Sequence, residues 1–307
     1  MEESLRITDR IRKQIIETHT MNWYSKYLSV FEKPFSSVSE STILEIREKL
    51  KTTNSQEPMV SVVLIAHNEE TRILSCLWSL SENITEYPVE IIGVNNHSND
   101  RTAEAMDAVG LKWFNEEKKS PGHARNCGLS HAKGKYHLCI DSDTMYPPLY
   151  IQTMTHELQR KGISGVTGLW SFLPDQHHSR TGLMIYEALR DVHLRLLFQR
   201  RPELCVRGMV FGFETELGRK IMFRTNIIRG EDGAMSVGLK TYGRLKLITT
   251  RKARAVTSTG TLSTDGSLTK SFWIKFKKAL KGFNKYFTTK AQYRDQDSNL
   301  IKSKKDN

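Results

Sequence analysis

The sequence predicts an α/β fold, with a mostly parallel central sheet flanked by helices and helical extensions at both ends. Three observations carry that expectation. Strongly apolar, β-branched runs recur between residues 60 and 140 and alternate with stretches of helical spacing. Polar turns rich in Asn, Asp and Gly separate them. The runs are apolar at successive positions rather than at every second one, as in strands buried on both faces.

Residues 1–57 are polar and charged, with helix-like patches at 11–16 and 43–50, and 52–58 reads as a linker. We treat 1–57 as a helical N-terminal extension. The first strand is 60–66. A helix follows with Ile73, Leu74, Leu77 and Leu80 on one face, then a second strand at 89–94. The polar turn 95–100 opens another helix that ends at Gly110, and 111–114 forms a short third strand. Residues 121–134 are helical, with Pro at the start and Gly at the end. Strand 136–140 then delivers Asp141-Ser142-Asp143. This order, β-α-β-α-β-α-β, is that of a doubly wound parallel sheet. Beyond 150 the pattern loosens. It gives helices at 150–161 and 183–198, strands at 166–172, 209–213 and 245–249, and a helix at 234–239 after Gly230-Glu231-Asp232-Gly233. The main domain spans 58–265, and 266–307 forms a C-terminal extension.

The chain has 307 residues, enough for one large α/β domain with additions. Hydrophobic content of 38% is that of a soluble globular protein, and the net charge of +12 implies anionic partners. The longest apolar run, 59–66, is too short to cross a bilayer, which takes about 20 residues. The N-terminus shows no basic start followed by an apolar stretch, so no secretory signal is expected. Cys76, Cys127, Cys139 and Cys205 lack metal-ligand spacing and read as reduced thiols. A cytoplasmic location follows, with a peripheral position on the cytoplasmic face of a membrane as an extension of it.

Asp141 and Asp143 stand at the carboxyl end of a strand, the edge where open α/β sheets bind ligands. Hard divalent cations such as Mg²⁺ or Mn²⁺ bind carboxylate oxygens and share their other positions with water and phosphates. The residues around this pair resemble family-2 glycosyltransferases of the GT-A fold, which is Rossmann-like. Five motifs occur in the family's order over 58–265. Val-Ser-Val-Val-Leu-Ile-Ala-His-Asn-Glu-Glu (60–70) resembles the opening strand and turn. Val-Asn-Asn-His-Ser-Asn-Asp-Arg-Thr (94–102) resembles the second motif, usually Asp-Asp-Gly-Ser-x-Asp-x-Thr. Gly-His-Ala-Arg-Asn-Cys-Gly-Leu (122–129) resembles the Ala-Arg-Asn helix. Asp141-Ser142-Asp143 matches Asp-x-Asp, and Gly230-Glu231-Asp232 resembles the late Glu-Asp motif.

The resemblance implies an inverting, metal-dependent enzyme. It would move a sugar from a nucleotide-diphosphate sugar to a hydroxyl of a glycan or lipid-linked acceptor. It implies Mn²⁺ or Mg²⁺ on Asp143 and Asp141, with Asp141 also facing the ribose or a metal-bound water. Asp232 would be the catalytic base, with Glu231 orienting the acceptor or substituting as base. Ala66, His67, Asn68, Glu69, Asn96, Arg125, Asp141, Ser142 and Gly208 would line the nucleotide-sugar site. Arg125 would reach the base or the diphosphate, and Asn126 would brace the helix start. Segment 206–211 falls where the family shapes the donor-sugar and acceptor pocket. The clearest departure is Asn95-Asn96-His97 in place of the usual Asp-Asp-Gly. An amide both donates and accepts, so uracil, guanine and thymine all remain open. The chemistry is consistent with these types: a cation stabilises a diphosphate leaving group, and a carboxylate activates the acceptor hydroxyl.

Plainer roles compete. Asp141 and Asp143 would serve as turn caps, Glu231-Asp232 as first-turn helix acids, Asp100 as a helix cap, His67 as a surface turn residue and Arg125 as a solvated helix charge. His177-His178 reads as surface loop, since adjacent side chains point apart. Residues 266–294 hold seven lysines and no acid. Wound as a helix, 269–290 sets Phe272, Trp273, Phe276, Leu280, Phe283 and Phe287 opposite Lys270, Lys277, Lys278, Lys281 and Lys285. Such a helix either lies on an anionic membrane or packs on the domain. No nucleic acid is expected, because no recognition motif accompanies the charge. Two other classes stay in view. A nucleotidyltransferase would carry a Gly-rich basic loop where His67-Asn68-Glu69-Glu70 stands. A catalytically degenerate nucleotide-binding protein would fit the Asn95-Asn96 change.

Overall fold

A computed structural model describes residues 23–259 except 177 and 228. The strand β1 (Val60–Ala66) is third in a seven-stranded sheet. On one side lie β2 (Val89–Asn95) and β3 (Lys112–Asn115). On the other lie β4 (Tyr136–Asp141), β8 (Phe211–Glu214), β6 (Ile163–Gly168) and β9 (Arg244–Ile248). β1, β2, β3 and β4 run parallel, as does the β6–β9 pair, while β8 is antiparallel to both its neighbours. A second sheet of β5 (Thr144–Met145), β10 (Ala255–Thr257) and β7 (Trp170–Phe172) packs at the carboxyl end of β4.

The successive apolar positions in β1 have the expected consequence. Val60, Val62, Leu64 and Ala66 enter one core with α1 (Glu40–Thr53), α2 (Ile73–Ser81), α3 (Thr102–Ala108) and α5 (Tyr150–Leu158). Val63 enters the opposite layer with Ile92, Val94 and Ala124 of α4 (Pro121–His131). That layer continues through Cys139, Phe211 and Phe213 to α7 (Thr215–Ile221) and α8 (Glu231–Leu239). Every residue of α2 is buried, because it lies between the sheet and α1. Full burial of each such Val, Leu or Ile contributes about 1.5–3 kcal/mol.

Several elements differ from the sequence reading. α4 stops at His131, and Gly134 lies beyond it. A Cβ on Gly134 would come within 2.6 Å of the backbone of Val60 and Ser61, so this glycine serves a close approach to β1. The strand read at 166–172 is two strands in different sheets, β6 and β7, which separate after Gly168. The last helix starts at Glu231, three residues before 234. α6 (Arg180–Arg200) extends past both ends of the 183–198 reading, capped by Ser179. The described part of the N-terminal extension shares the main core: Tyr27, Val30, Ile46 and Leu50 are buried there. Asn54, read as linker, bridges to Val89 and accepts the Ile91 N–H at 2.6 Å. His178 is buried rather than a surface residue, and its Nδ1 lies 2.7 Å from an Asp175 carboxylate oxygen. The helical patch at 11–16 and the amphipathic segment 269–290 lie outside the described residues.

His137 on β4 is fully buried and stacked on Phe213, with ring centroids 5.0 Å apart. Burial, then the charges of Arg125 and Arg219, hold it down at about 3. The unfolded chain therefore binds a proton that the native state refuses. Its stability contribution is complete above the ordinary histidine value of 6.5 and is lost as pH falls towards 3. Wild type is expected to lose roughly 3 kcal/mol more than His137→Phe between about pH 7 and about pH 4, read by urea unfolding at each pH. Parallel pH profiles would refute this.

Candidate active site

The turns after β1 and β2 are stitched together residue by residue. His67 Nδ1 lies 2.7 Å from the Asn96 carbonyl oxygen. The Asn68 N–H donates to Ser98 Oγ, and Asn68 Oδ1 accepts the Asn99 N–H at 2.8 Å. The Glu69 N–H donates to Thr102 Oγ1 at 2.8 Å, and the Glu70 N–H to Asp100 Oδ2. Asp100 also accepts the Thr102 N–H at 3.0 Å, the capping role read for it. Asn68 and His97 both adopt φ +56°. That left-handed conformation costs glycine nothing, and His is among the side chains that enter it most readily. His97 thus fills a glycine-type position without changing the turn.

Asn96 is buried, and its Nδ2 donates to the carbonyls of Glu116 and Lys118 at 3.1 and 2.9 Å. Two carbonyl acceptors fix the amide's orientation. Asn95 Nδ2 donates to Asn115 Oδ1 at 3.2 Å. A carboxylate at 96 would have nothing to donate, so the amide here ties down the 116–118 loop.

The second half of the site forms around one guanidinium. Arg125 of α4 is almost wholly buried. Its Nη2 donates to Asp141 Oδ1 at 2.8 Å, and its Nε lies 3.1 Å from Asp232 Oδ1 as an ion pair without hydrogen-bond alignment. Asp232 Oδ2 accepts the Gly208 N–H at 2.7 Å. Tyr146 Oη accepts the Asp141 N–H at 3.2 Å and donates to the Met209 carbonyl at 2.9 Å. Asp143 lies between β4 and β5, where Ser258 Oγ and Thr144 Oγ1 donate to it at 2.8 and 3.0 Å. A Cβ on Gly208 would fall 1.8 Å from Arg125 Nη2 and 2.7 Å from Asp232 Oδ2, so only glycine fits there.

The acids crowd one another. Burial, then the charge of Asp143, pushes Glu69 up to about 7. Burial, with Asp143 and Asp232 adding to it against Arg125, pushes Asp141 up to about 6, although a third of its side chain stays accessible. Burial and Asp232 push Glu231 up to about 7. The surplus of negative charge over Asp141, Asp143 and Glu69 fits a divalent cation. Among the described residues no cluster of three or more His, Cys, Asp or Glu has ligand geometry. Asp141 and Asp143 are the carboxylates that could hold such a cation, a ligand type that hard divalent ions accept.

Residues 61–203 match the family model described as Glycosyl transferase family 2. The matched segment, a little under half of the chain, is similar to a family-2 glycosyltransferase domain. Among curated relatives, the chain is 29% identical over 116 residues to glycosyltransferase GlyG of Streptococcus pneumoniae, covering 36% of this chain and 38% of that one. It is 27% identical over 160 residues to the 4,4'-diaponeurosporenoate glycosyltransferase of Staphylococcus aureus, covering 48% and 40%. The matches thus span well under half the length of these relatives. Among solved structures it is similar to S. aureus TarS 1–349 in complex with UDP, with TM-score 0.51, 18% identity and 65% and 60% coverage. It is equally similar to the mannosyltransferase PcManGT from Pyrobaculum calidifontis in complex with GDP-Man and Mn²⁺, with TM-score 0.51, 19% identity and 77% and 72% coverage. These likenesses establish the GT-A fold.

The structure gathers the residues singled out in the sequence into two groups, with corrections in detail. Ala66, His67, Asn68, Glu69 and Asn96 lie on the paired turns. Asp141, Ser142, Asp143, Arg125, Gly208, Glu231 and Asp232 lie around the β4 end. Arg125 is no solvated helix charge, and its guanidinium is taken up by Asp141 and Asp232 rather than left open to a ligand. Asn126 does not brace its own helix start. It exchanges both amide groups with the Phe223 backbone, at 2.9 and 2.8 Å. Tyr146, Thr257 and Ser258 were not foreseen. The only sequence signal for Thr257 and Ser258 is a short extended run, 255–257, whose partners lie 85 or more residues away.

Arg125→Ala would leave two carboxylates without their shared cation, and is expected to cost about 3–5 kcal/mol in chemical denaturation. Gly208→Ala is expected to keep the fold but to move Arg125 and Asp232, lowering any transferase activity at least as much as nucleotide affinity. An unaltered Gly208→Ala enzyme would contradict the packing described.

Proposed function

We propose that this chain is an inverting, metal-dependent glycosyltransferase. It would move a sugar from a nucleotide-diphosphate donor to a hydroxyl of a glycan or lipid-linked acceptor. The observation that carries the reading is the Asp141–Arg125–Asp232 ion triad, which couples the Asp-x-Asp strand end to the Glu-Asp helix start. The UDP held by TarS and the GDP-Man and Mn²⁺ held by PcManGT support the donor class and a divalent metal.

In this reading Asp143 and Asp141 would hold Mn²⁺ or Mg²⁺, which would supply Lewis-acid stabilisation of the leaving diphosphate. The paired turns take the nucleotide base. Both Asn96 amide hydrogens are spent on loop carbonyls, so its Oδ1 meets the base as an acceptor. An acceptor suits the imide N–H of uracil or thymine and the N1–H of guanine, and disfavours cytosine, whose N3 also accepts. Asp232 takes the proton of the acceptor hydroxyl as its oxygen bonds to the anomeric carbon. The bond from that carbon to the diphosphate oxygen breaks, and its electron pair leaves with the diphosphate. Attack opposite the leaving group inverts the anomeric centre. Glu231 orients the acceptor or substitutes as base.

Residues 58–265 form the catalytic unit in this reading, with 1–57 and 266–307 as extensions. The cysteines are unpaired, and no described helix is long and apolar enough to cross a membrane. A cytoplasmic enzyme whose segment 269–290 meets an anionic membrane is consistent with both.

With saturating Mn²⁺, UDP or GDP is expected to stabilise the protein by about 2.7 kcal/mol at a hundredfold excess over Kd, and CDP to do less. Asp143→Ala should abolish the shift while leaving the ligand-free melting temperature in place. Absence of a shift with every nucleotide would sink the metal–diphosphate reading. Asp232→Asn should retain the shift and lower kcat by roughly 10²–10⁴. Retained turnover would remove Asp232 as base.

A further inference from the structure

The helix α6 buries one face and leaves the other bare. Leu183 and Leu194 point into the core. Its two acids also face inward. Glu187 accepts from Ser171 Oγ and the Phe172 N–H, both at 2.7 Å, and Asp191 pairs with Arg190 and Arg254. On the outer face Ile185, Leu189, Val192 and Leu196 recur at four-, three- and four-residue steps, with Met184 beside them. They are 59%, 49%, 57% and 62% exposed, a continuous apolar stripe three turns long. The exposed charges of this helix are Arg180, Arg195 and Arg200, all basic. At 100° per residue, Arg195 and Arg200 flank the stripe on opposite sides.

That charge pattern decides between occupants. A second copy laid stripe to stripe would bring arginines towards arginines, with the helix's own acids turned away and already paired. A bilayer surface carrying anionic headgroups matches both features. The apolar stripe enters the acyl boundary and the flanking arginines reach the phosphates. We propose that the outer face of α6 is an in-plane docking surface for an anionic lipid bilayer.

The fold links this face to the acid site. β7 leads into α6 through Leu173, whose N–H donates to the Thr257 carbonyl at 2.9 Å. Ser258, the next residue, holds Asp143. Glu187 of α6 fastens Phe172 on the other side of the same junction. Docking α6 would therefore set the Asp-x-Asp end of the sheet beside the membrane. Thr259 Oγ1 bonds Asp175 just ahead of α6. The inference does not depend on glycosyl transfer.

The test uses the full chain. Phosphatidylcholine vesicles with and without phosphatidylglycerol are pelleted with wild type, with Ile185→Ser/Leu189→Ser/Val192→Ser/Leu196→Ser and with Arg195→Glu/Arg200→Glu. Wild type is expected to partition to anionic vesicles, and each variant to lose about tenfold in partitioning. Nucleotide-induced stabilisation should persist in both. An environment-sensitive dye on Val192→Cys, in a Cys127→Ser background, reads this face directly and should shift to the blue only with phosphatidylglycerol. Two results overturn the proposal. One is vesicle binding with no dye shift, which assigns the binding elsewhere. The other is a dye shift that rises with protein concentration without lipid, in a dimer that the serine variant abolishes, which assigns the face to a second copy.

Discussion

The buried Arg125 guanidinium is the interaction on which the site depends. Burying it costs several kcal/mol, and the two carboxylates it pairs with offset that cost. They come from elements far apart in sequence, Asp141 at the end of β4 and Asp232 in the first turn of α8. Gly208 then has no choice of side chain, because the guanidinium and Asp232 occupy its Cβ position. Tyr146 closes the ring by joining the Asp141 N–H to the carbonyl of Met209, next to Gly208. One cation thus sets the spacing of four segments, and any movement of one is felt by the others.

The nucleotide side obeys a different constraint, the pairing of two turns by their backbones. Four successive residues, 67–70, each bond to the turn after β2. The departures Asn95-Asn96-His97 belong to that geometry. The amides donate to Asn115, Glu116 and Lys118, and His97 accepts a left-handed φ. Substitutions that look like decay of a motif instead keep the turn closed and leave one acceptor atom in place of an acid.

The central strands and the five motifs were legible because they are local. A β-branched run and a strand-end acid pair declare themselves within ten residues. What stayed hidden depends on distant partners. β6 and β7 read as one strand because nothing in 163–172 says that its halves pair with different sheets. Ser258 looks like any loop hydroxyl until β10 brings it to Asp143. His178 looked exposed because its burial comes from tertiary packing around Asp175. The α6 stripe was hidden for another reason. The helix is apolar on two faces, and periodicity cannot say which of them meets the core.

The adjacent acids at the start of α8 show how a single turn divides two roles. Helix geometry turns neighbouring side chains about 100° apart, so Glu231 and Asp232 meet different surroundings. Asp232 faces the Arg125 cation and the Gly208 N–H. Glu231 is buried beside Asp232 and pushed up to about 7, so near neutrality it exchanges its proton with little driving force either way. The charge on Asp232 is thus part of what shapes Glu231, and through Arg125 it is tied to Asp141. A cation arriving at Asp141 and Asp143 would be felt at both acids without any movement of the backbone.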